Sequence, residues 1–252
     1  MTSDLVSVIM PTYNSSEFVV ESICSIQAQT YANWELLITD DCSSDKTVKL
    51  IQNLASMDSR IKVCQLAENG GAGVARNHSI EKAAGRYIAF CDSDDQWVPT
   101  KLEKQLQFMR QNDLDFTYTS YEKIDEAGNS IGLVTCLPSV TYKTMLRNNY
   151  IGCLTVVYDT QKFGKQFMPI IRKRQDWALW LKILKQCGEA RGVEEPLSIY
   201  RDRSGSISSN KMEMVKYNWI IFHDVEKLGI LRSSWCMFEF MWHYFLKKSG
   251  GR

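Results

Sequence analysis

Between residues 6 and 94, short apolar runs alternate with amphipathic stretches, the pattern of a parallel sheet covered by helices on both faces. The runs 6–10, 34–39, 61–66 and 87–90 are β-branched or aromatic, and each gives way to polar or Gly-rich residues, as strands do at their ends. Asn14 and Glu17 have the spacing of a capping box ahead of Phe18, Val19, Ile23 and Ile26, which predicts a first helix. The stretch 47–55 repeats the helical stripe with Val48, Ile51 and Ala55, and Pro99-Thr100 opens a third helix striped by Leu102, Leu106 and Met109.

Beyond residue 115 this rhythm breaks. A hairpin is expected at Gly128-Asn129, a strand over 151–158 and a helix over 176–184. From 212 to 248 the chain is helical in character and dense in aromatics, ending in Lys247 and Lys248. The expected fold class is therefore α/β: a mainly parallel sheet flanked by helices, with a helical C-terminal extension. Residues 1–210 form the body, divided into a first half (1–115) and a second half (116–210), and 211–252 form the extension. The aromatics of the extension have two readings, core or a peripheral membrane contact; core with partial exposure is preferred.

Composition narrows the partners. Of 252 residues, 44% are hydrophobic and 23% charged, with a formal net charge of +1, so the basic excess of a duplex-binding protein is missing and nucleic acid is not an expected partner. The eight cysteines contain no C-x-x-C pair and no zinc spacing; they read as reduced, mostly core thiols. No run reaches the roughly 18 apolar residues of a spanning helix, so a cytoplasmic location is expected, with contact to the cytoplasmic face of the inner membrane as an option.

In an open α/β sheet, ligands sit beyond the carboxyl ends of the strands. Four polar clusters occupy those positions: Pro11, Thr12, Tyr13 and Asn14; Asp40 and Asp41; Gly70 to Gly73 with Arg76 and Asn77; and Asp92, Ser93, Asp94 and Asp95. An aromatic face suits a nucleobase, carboxylates suit a ribose, and an arginine or cation suits a diphosphate. Alternating carboxylates such as Asp92 and Asp94 fit Mn²⁺ or Mg²⁺ completed by substrate phosphates, although acidic loops also cap helices. For Asp40-Asp41, ligand binding and an Asx turn weigh equally. Gly71-Ala72-Gly73 lacks the third glycine of a dinucleotide fingerprint and follows a third strand, so a Rossmann dinucleotide site is excluded.

The stretches VSVIMPTYN (6–14), DDCSSDKT (40–47), NGGAGVARN (69–77), FCDSDDQW (90–97), RQDWALWLK (174–182) and YRDRSGSIS (200–208) together resemble the inverting family 2 of glycosyltransferases, whose catalytic domain has the GT-A fold. Their order along roughly four fifths of the chain carries the likeness. The resemblance implies a metal-dependent hexosyltransferase, with Pro11, Thr12, Tyr13, Asn14 and Asp41 around base and ribose, Arg76 near the base, Asp92 and Ser93 on the ribose side and Asp94, with Asp92, at the metal. It implies Asp176 as the general base, with Gln175 standing where the family usually has Glu. Trp177 and Trp180 are then candidates for an aromatic sugar platform, and Arg201 and Arg203 for donor contacts; many relatives carry His where this chain has Arg203, and Arg clamps phosphate rather than metal. The implied donor is a UDP-sugar and the implied acceptor a saccharide, lipid-linked on a polyprenyl diphosphate, in bacterial surface polysaccharide assembly (O-antigen, lipopolysaccharide or capsule). The competing readings are a sugar nucleotidyltransferase, which would need a Gly-rich phosphate loop after the first strand, and a non-catalytic sugar-nucleotide-binding protein.

Overall fold

The computed structural model describes residues 4–203 and 211–249. The first half alternates as its sequence pattern requires: β1 (Val6–Thr12), α1 (Val19–Gln27), β2 (Trp34–Asp40), α2 (Thr47–Met57), β3 (Ile61–Gln65), α3 (Ala72–Lys82), β4 (Tyr87–Phe90), β5 (Gln96–Trp97) and α4 (Lys101–Gln111). The second half adds β6 (Phe116–Ile124), β7 (Ser130–Val134), β8 (Ser139–Thr141), α5 (Tyr142–Arg147), β9 (Val157–Asp159), α6 (Thr160–Phe163), α7 (Gln175–Cys187) and β10 (Glu189–Arg201). It ends in α8 (Lys211–Ile220), a π-helical turn (Ile221–Val225) and α9 (Gly229–Ser249).

All ten strands form one sheet in the order β3-β2-β1-β4-β9-β6-β10-β5, with β7 on β6 and β8 on β10. The pairs β2-β3, β1-β2, β1-β4 and β6-β10 are parallel. Strand β9 runs against both β4 and β6, so it couples two blocks whose strands point the same way. The proposed halves 1–115 and 116–210 thus contribute to one continuous sheet. Every residue of β1, β2 and β4 is buried, as helices on both faces demand. One apolar cluster packs α1, α2 and α4 on one face; the other packs α3, α5, α7 and α9 opposite. One polar group inside is multiply paired: Ser7 Oγ donates to Glu35 Oε1 (2.6 Å), whose carboxylate also accepts from the Ala84 amide and Lys62 Nζ.

Several expectations change. The expected capping box does not form. Helix α1 starts at Val19 after Phe18 without a side-chain cap, and Asn14, at φ 46°, instead accepts from the Ser44 amide (2.9 Å). The strand expected over 151–158 is interrupted by a 3₁₀ turn (Cys153–Thr155), and only its end, Val157 and Tyr158, pairs in the sheet as part of β9. The 13-residue β10 went unpredicted because Glu189-Ala-Arg-Gly-Val-Glu-Glu-Pro is polar; Pro196 lacks a ladder donor, and the register shifts around it. The cysteines are all free, but only Cys91, Cys136 and Cys236 are buried. The serines of the 204–209 loop lie outside the described residues.

Candidate active site

The carboxyl edge of the sheet is assembled from the loops after β1, β2, β3 and β4, as the open-sheet rule requires. Parallel pairing sets Pro11 beside Thr39 and Thr12 beside Asp40, and the loops are then locked together. Thr12 Oγ1 donates to Asp40 Oδ1 (3.0 Å), and Asp40 also takes the Ser43 amide and hydroxyl. Asp40 therefore serves the turn. Asp41 accepts the amides of Gly70 and Gly71, each at 2.7 Å, on its two oxygens. Its role shifts: the buried carboxylate anchors the glycine loop and offers a ligand only its remaining lone pairs. Gly71 sits at φ 88°, a conformation that glycine adopts without penalty, and this lets the loop close over Asp41. Tyr13 is half exposed and leaves an aromatic face open at the rim.

After β4 the acidic loop divides its labour. Asp92 receives Arg76 Nη2 at 2.6 Å, with Arg76 buried on α3. Burial opposes the guanidinium charge, but the fields of Asp92, Cys153 and Asp176 outweigh it and raise the Arg76 pKa. Asp94 receives Arg203 Nη1 at 3.0 Å; burial and then Asp92 push its pKa up, while Arg203 pulls it down. Asp95 points inward, where its Oδ1 accepts the Arg201 amide (3.0 Å). Burial and its acidic neighbours raise that carboxyl well above the ordinary range, so it braces β10 and is no ligand.

Arg201 is a correction. Its guanidinium donates to the carbonyls of Asp94, Asp125 and Glu126 and to Glu21 Oε2 (2.6 Å), and it lies 4.6 Å from the Phe18 ring centre. It is buried and committed to protein, so it clamps the site from behind. Ser93 is likewise buried, its hydroxyl 2.7 Å from that of Ser15; it ties the first loop to the fourth and does not face a ligand. Trp177 and Trp180 do not form a sugar platform: both are fully buried. Trp180 packs on Phe90 and Phe116, and Trp177 donates Nε1 to the Met145 carbonyl (2.8 Å). Helix α7 must bury this face to cover the sheet, which a helical spacing of aromatics in sequence also signals.

Asp176 lies in the first turn of α7, where the helix dipole favours a carboxylate. Asn149, unforeseen from sequence, donates to its Oδ2 (3.2 Å). The charges of Arg76, Asp92, Asp176 and Asp95 all act on the partly buried Cys153 thiol and, with burial as the largest cause, leave its pKa well raised. These groups therefore lie close enough for their charges to act on one another. Gln175 abuts α3, since a Cβ on Gly73 would come within 3.1 Å of its Cγ.

Asp92 and Asp94 are hard oxygen donors that suit Mn²⁺ or Mg²⁺. Among the described residues no group of three His, Cys, Asp or Glu is gathered for a cation. A cation there would complete its shell from phosphate oxygens, and Arg203 would have to release Asp94.

With this geometry in place, comparison with known proteins settles the lineage. The family model described as Glycosyl transferase family 2 matches residues 7–175. The chain belongs to glycosyltransferase family 2. It is 43% identical over 237 residues, 94% of each chain, to the putative teichuronic acid biosynthesis glycosyltransferase TuaG of Bacillus subtilis. It is 42% identical over 225 residues to the UDP-Glc:alpha-D-GlcNAc-diphosphoundecaprenol beta-1,3-glucosyltransferase WfgD of Escherichia coli, covering 89% of this chain and 87% of that one. The family 2 fold is GT-A: S. aureus TarS 1–349, solved with UDP-GlcNAc, superposes with a TM-score of 0.73 at 22% identity, covering 96% of this chain and 72% of TarS.

Proposed function

We propose that this family 2 glycosyltransferase moves a hexose from a UDP-sugar to a saccharide carried on a polyprenyl diphosphate, with inversion at the anomeric carbon, in bacterial surface polysaccharide assembly. The observation that supports this reading is the pairing of Arg76 with Asp92 and of Arg203 with Asp94 in the loop after β4, with Asp176 close enough for its charge to act on Arg76. The UDP donor and the lipid-linked acceptor are supported by what TarS was solved with and by what the name of WfgD states.

In this reading Tyr13 and the loop anchored by Asp41 receive the base, and Asp92 receives the ribose. Arg76, held on Asp92, places a buried positive charge behind the site. Arg203 exchanges Asp94 for diphosphate oxygens. Asp94, with Asp92, would hold Mn²⁺ or Mg²⁺, which when bound supplies Lewis-acid stabilisation of the diphosphate leaving group. The acceptor hydroxyl attacks the anomeric carbon from the face opposite the diphosphate; the C–O bond to phosphate breaks as the new glycosidic bond forms. Asp176, oriented by Asn149, takes the hydroxyl proton.

The test is Asp176→Asn. Transfer from UDP-glucose to a GlcNAc-diphospho-lipid acceptor should fall by about 10²–10⁴-fold, while thermal stabilisation by UDP stays at the wild-type level. Wild-type turnover in the variant would remove the proposed base. UDP binding by calorimetry without turnover in the wild type would instead point to the non-catalytic reading.

A further inference from the structure

Helix α9 is apolar on two opposite faces. Its inner face buries Ser233, Cys236 and Phe240, and Phe240 packs on Trp177, next to Asp176 in sequence. Its outer face carries Leu231, Trp235, Phe238 and Trp242, exposed by 88, 62, 58 and 56%. Spacings of four, three and four place them in one stripe. The rings sit side by side, with centroids 5.8 and 6.2 Å apart, and border a groove of about 230 Å³. A contiguous exposed apolar patch of this kind marks an interaction surface.

We infer that this stripe docks the enzyme in the interfacial zone of an anionic lipid bilayer, with α9 lying in the membrane plane. Charge complementarity selects this occupant. Arg232, one turn before Trp235, and Lys227, just ahead of the helix, are exposed, and Arg147 of α5 pairs at 3.8 Å with Glu239, which lines the groove. Cations beside an apolar helix face suit anionic headgroups. Tryptophan is also the side chain that settles at the headgroup level, ring in the apolar layer and N–H in the polar one. A pair of helices from two copies would use Leu or Ile at these seam positions, and two of the four are tryptophan. No helix among the described residues is long and apolar enough to cross a membrane, so the contact is peripheral. The inference rests on the lipid-linked acceptor proposed above: through Phe240 and Trp177 the docked helix packs on α7, whose first turn carries Asp176, and docking would hold the enzyme at the layer where a diphosphate-linked acceptor is presented.

The test is cosedimentation of the full chain with vesicles of phosphatidylcholine alone and of phosphatidylcholine mixed with phosphatidylglycerol. Wild type should bind the mixed vesicles. The variant Trp235→Ser/Phe238→Ser/Trp242→Ser should bind them at least about tenfold more weakly with unchanged melting temperature and unchanged UDP stabilisation. The milder Lys227→Ser/Arg232→Ser pair should lose affinity for the anionic vesicles specifically. The inference is overturned if wild type ignores both vesicle types, if the stripe variant binds like wild type, or if sedimentation velocity shows a dimer that the stripe substitutions dissolve. UDP stabilisation is read separately, so failure of the donor-site reading would be seen as its absence even where vesicles bind.

Discussion

Lys101 is wholly buried, with Nζ on Gln105 Oε1 (2.8 Å) and 4.3 Å from the Trp97 ring centre. Burial pulls its pKa down to about 7, against roughly 10.4 in an unfolded chain. Between these values the unfolded chain holds a proton that the native state lacks, so Lys101 adds stability as pH rises through this window and costs stability at and below its lower end. Urea unfolding of wild type and Lys101→Met from pH 6 to 10 should show the wild type gaining on the variant as pH rises, with a flat difference below about pH 7. Among individual residues, the sequence marked Asp92, Asp94, Asp176 and Arg76 through composition at strand ends and through motif. The alternating spacing singled out Asp94 beside Asp92, but that Asp95 turns inward onto the Arg201 amide was not legible, because it is set by the turn after β4. Asn149 left no signal: it stands in a polar loop and acts only through the fold.

Helices α3 and α7 meet where Gly73 leaves room for Gln175. Gly73→Ala gives α3 a better helix former, worth up to about 1 kcal/mol, but pushes the residue next to Asp176. The expected result is a transfer rate several-fold lower with thermal stability near wild type, measured as kcat alongside a melting curve. The strands β1 to β4 and helices α1 to α4 were legible because each buries a continuous run or a clean stripe. The rest was harder for a physical reason. Strand β10 is held by β6 along its length and by β5 and β8 at its ends, so partners rather than its own polar residues make it extended. The tryptophans of α7 show the reverse error: a stripe that could serve a ligand or a core serves the core, because Trp180 packs on Phe90 and Phe116 of the sheet and Trp177 on Phe222 and Phe240.

Across the whole molecule, β9, β6 and β10 extend the edge that β4 would otherwise expose, so residues 1–115 alone would present an unpaired strand and one face covered by α3 without α5, α7 and α9. Unfolding in urea should therefore be a single transition, coincident by far-ultraviolet circular dichroism and tryptophan emission, and a 1–115 fragment should fail to show it. The paired charges of the cleft have one more effect. Arg76 with Asp92 and Arg203 with Asp94 balance each other within a chain of net charge +1. On the proposed donor-site reading, nucleotide arrival would swap counterparts instead of neutralising a bare basic hole, so little long-range pull would guide the encounter. UDP should bind with an on-rate that barely responds to ionic strength between low and physiological salt, as stopped-flow fluorescence would show. Capture then depends on how fast two arginines change hands.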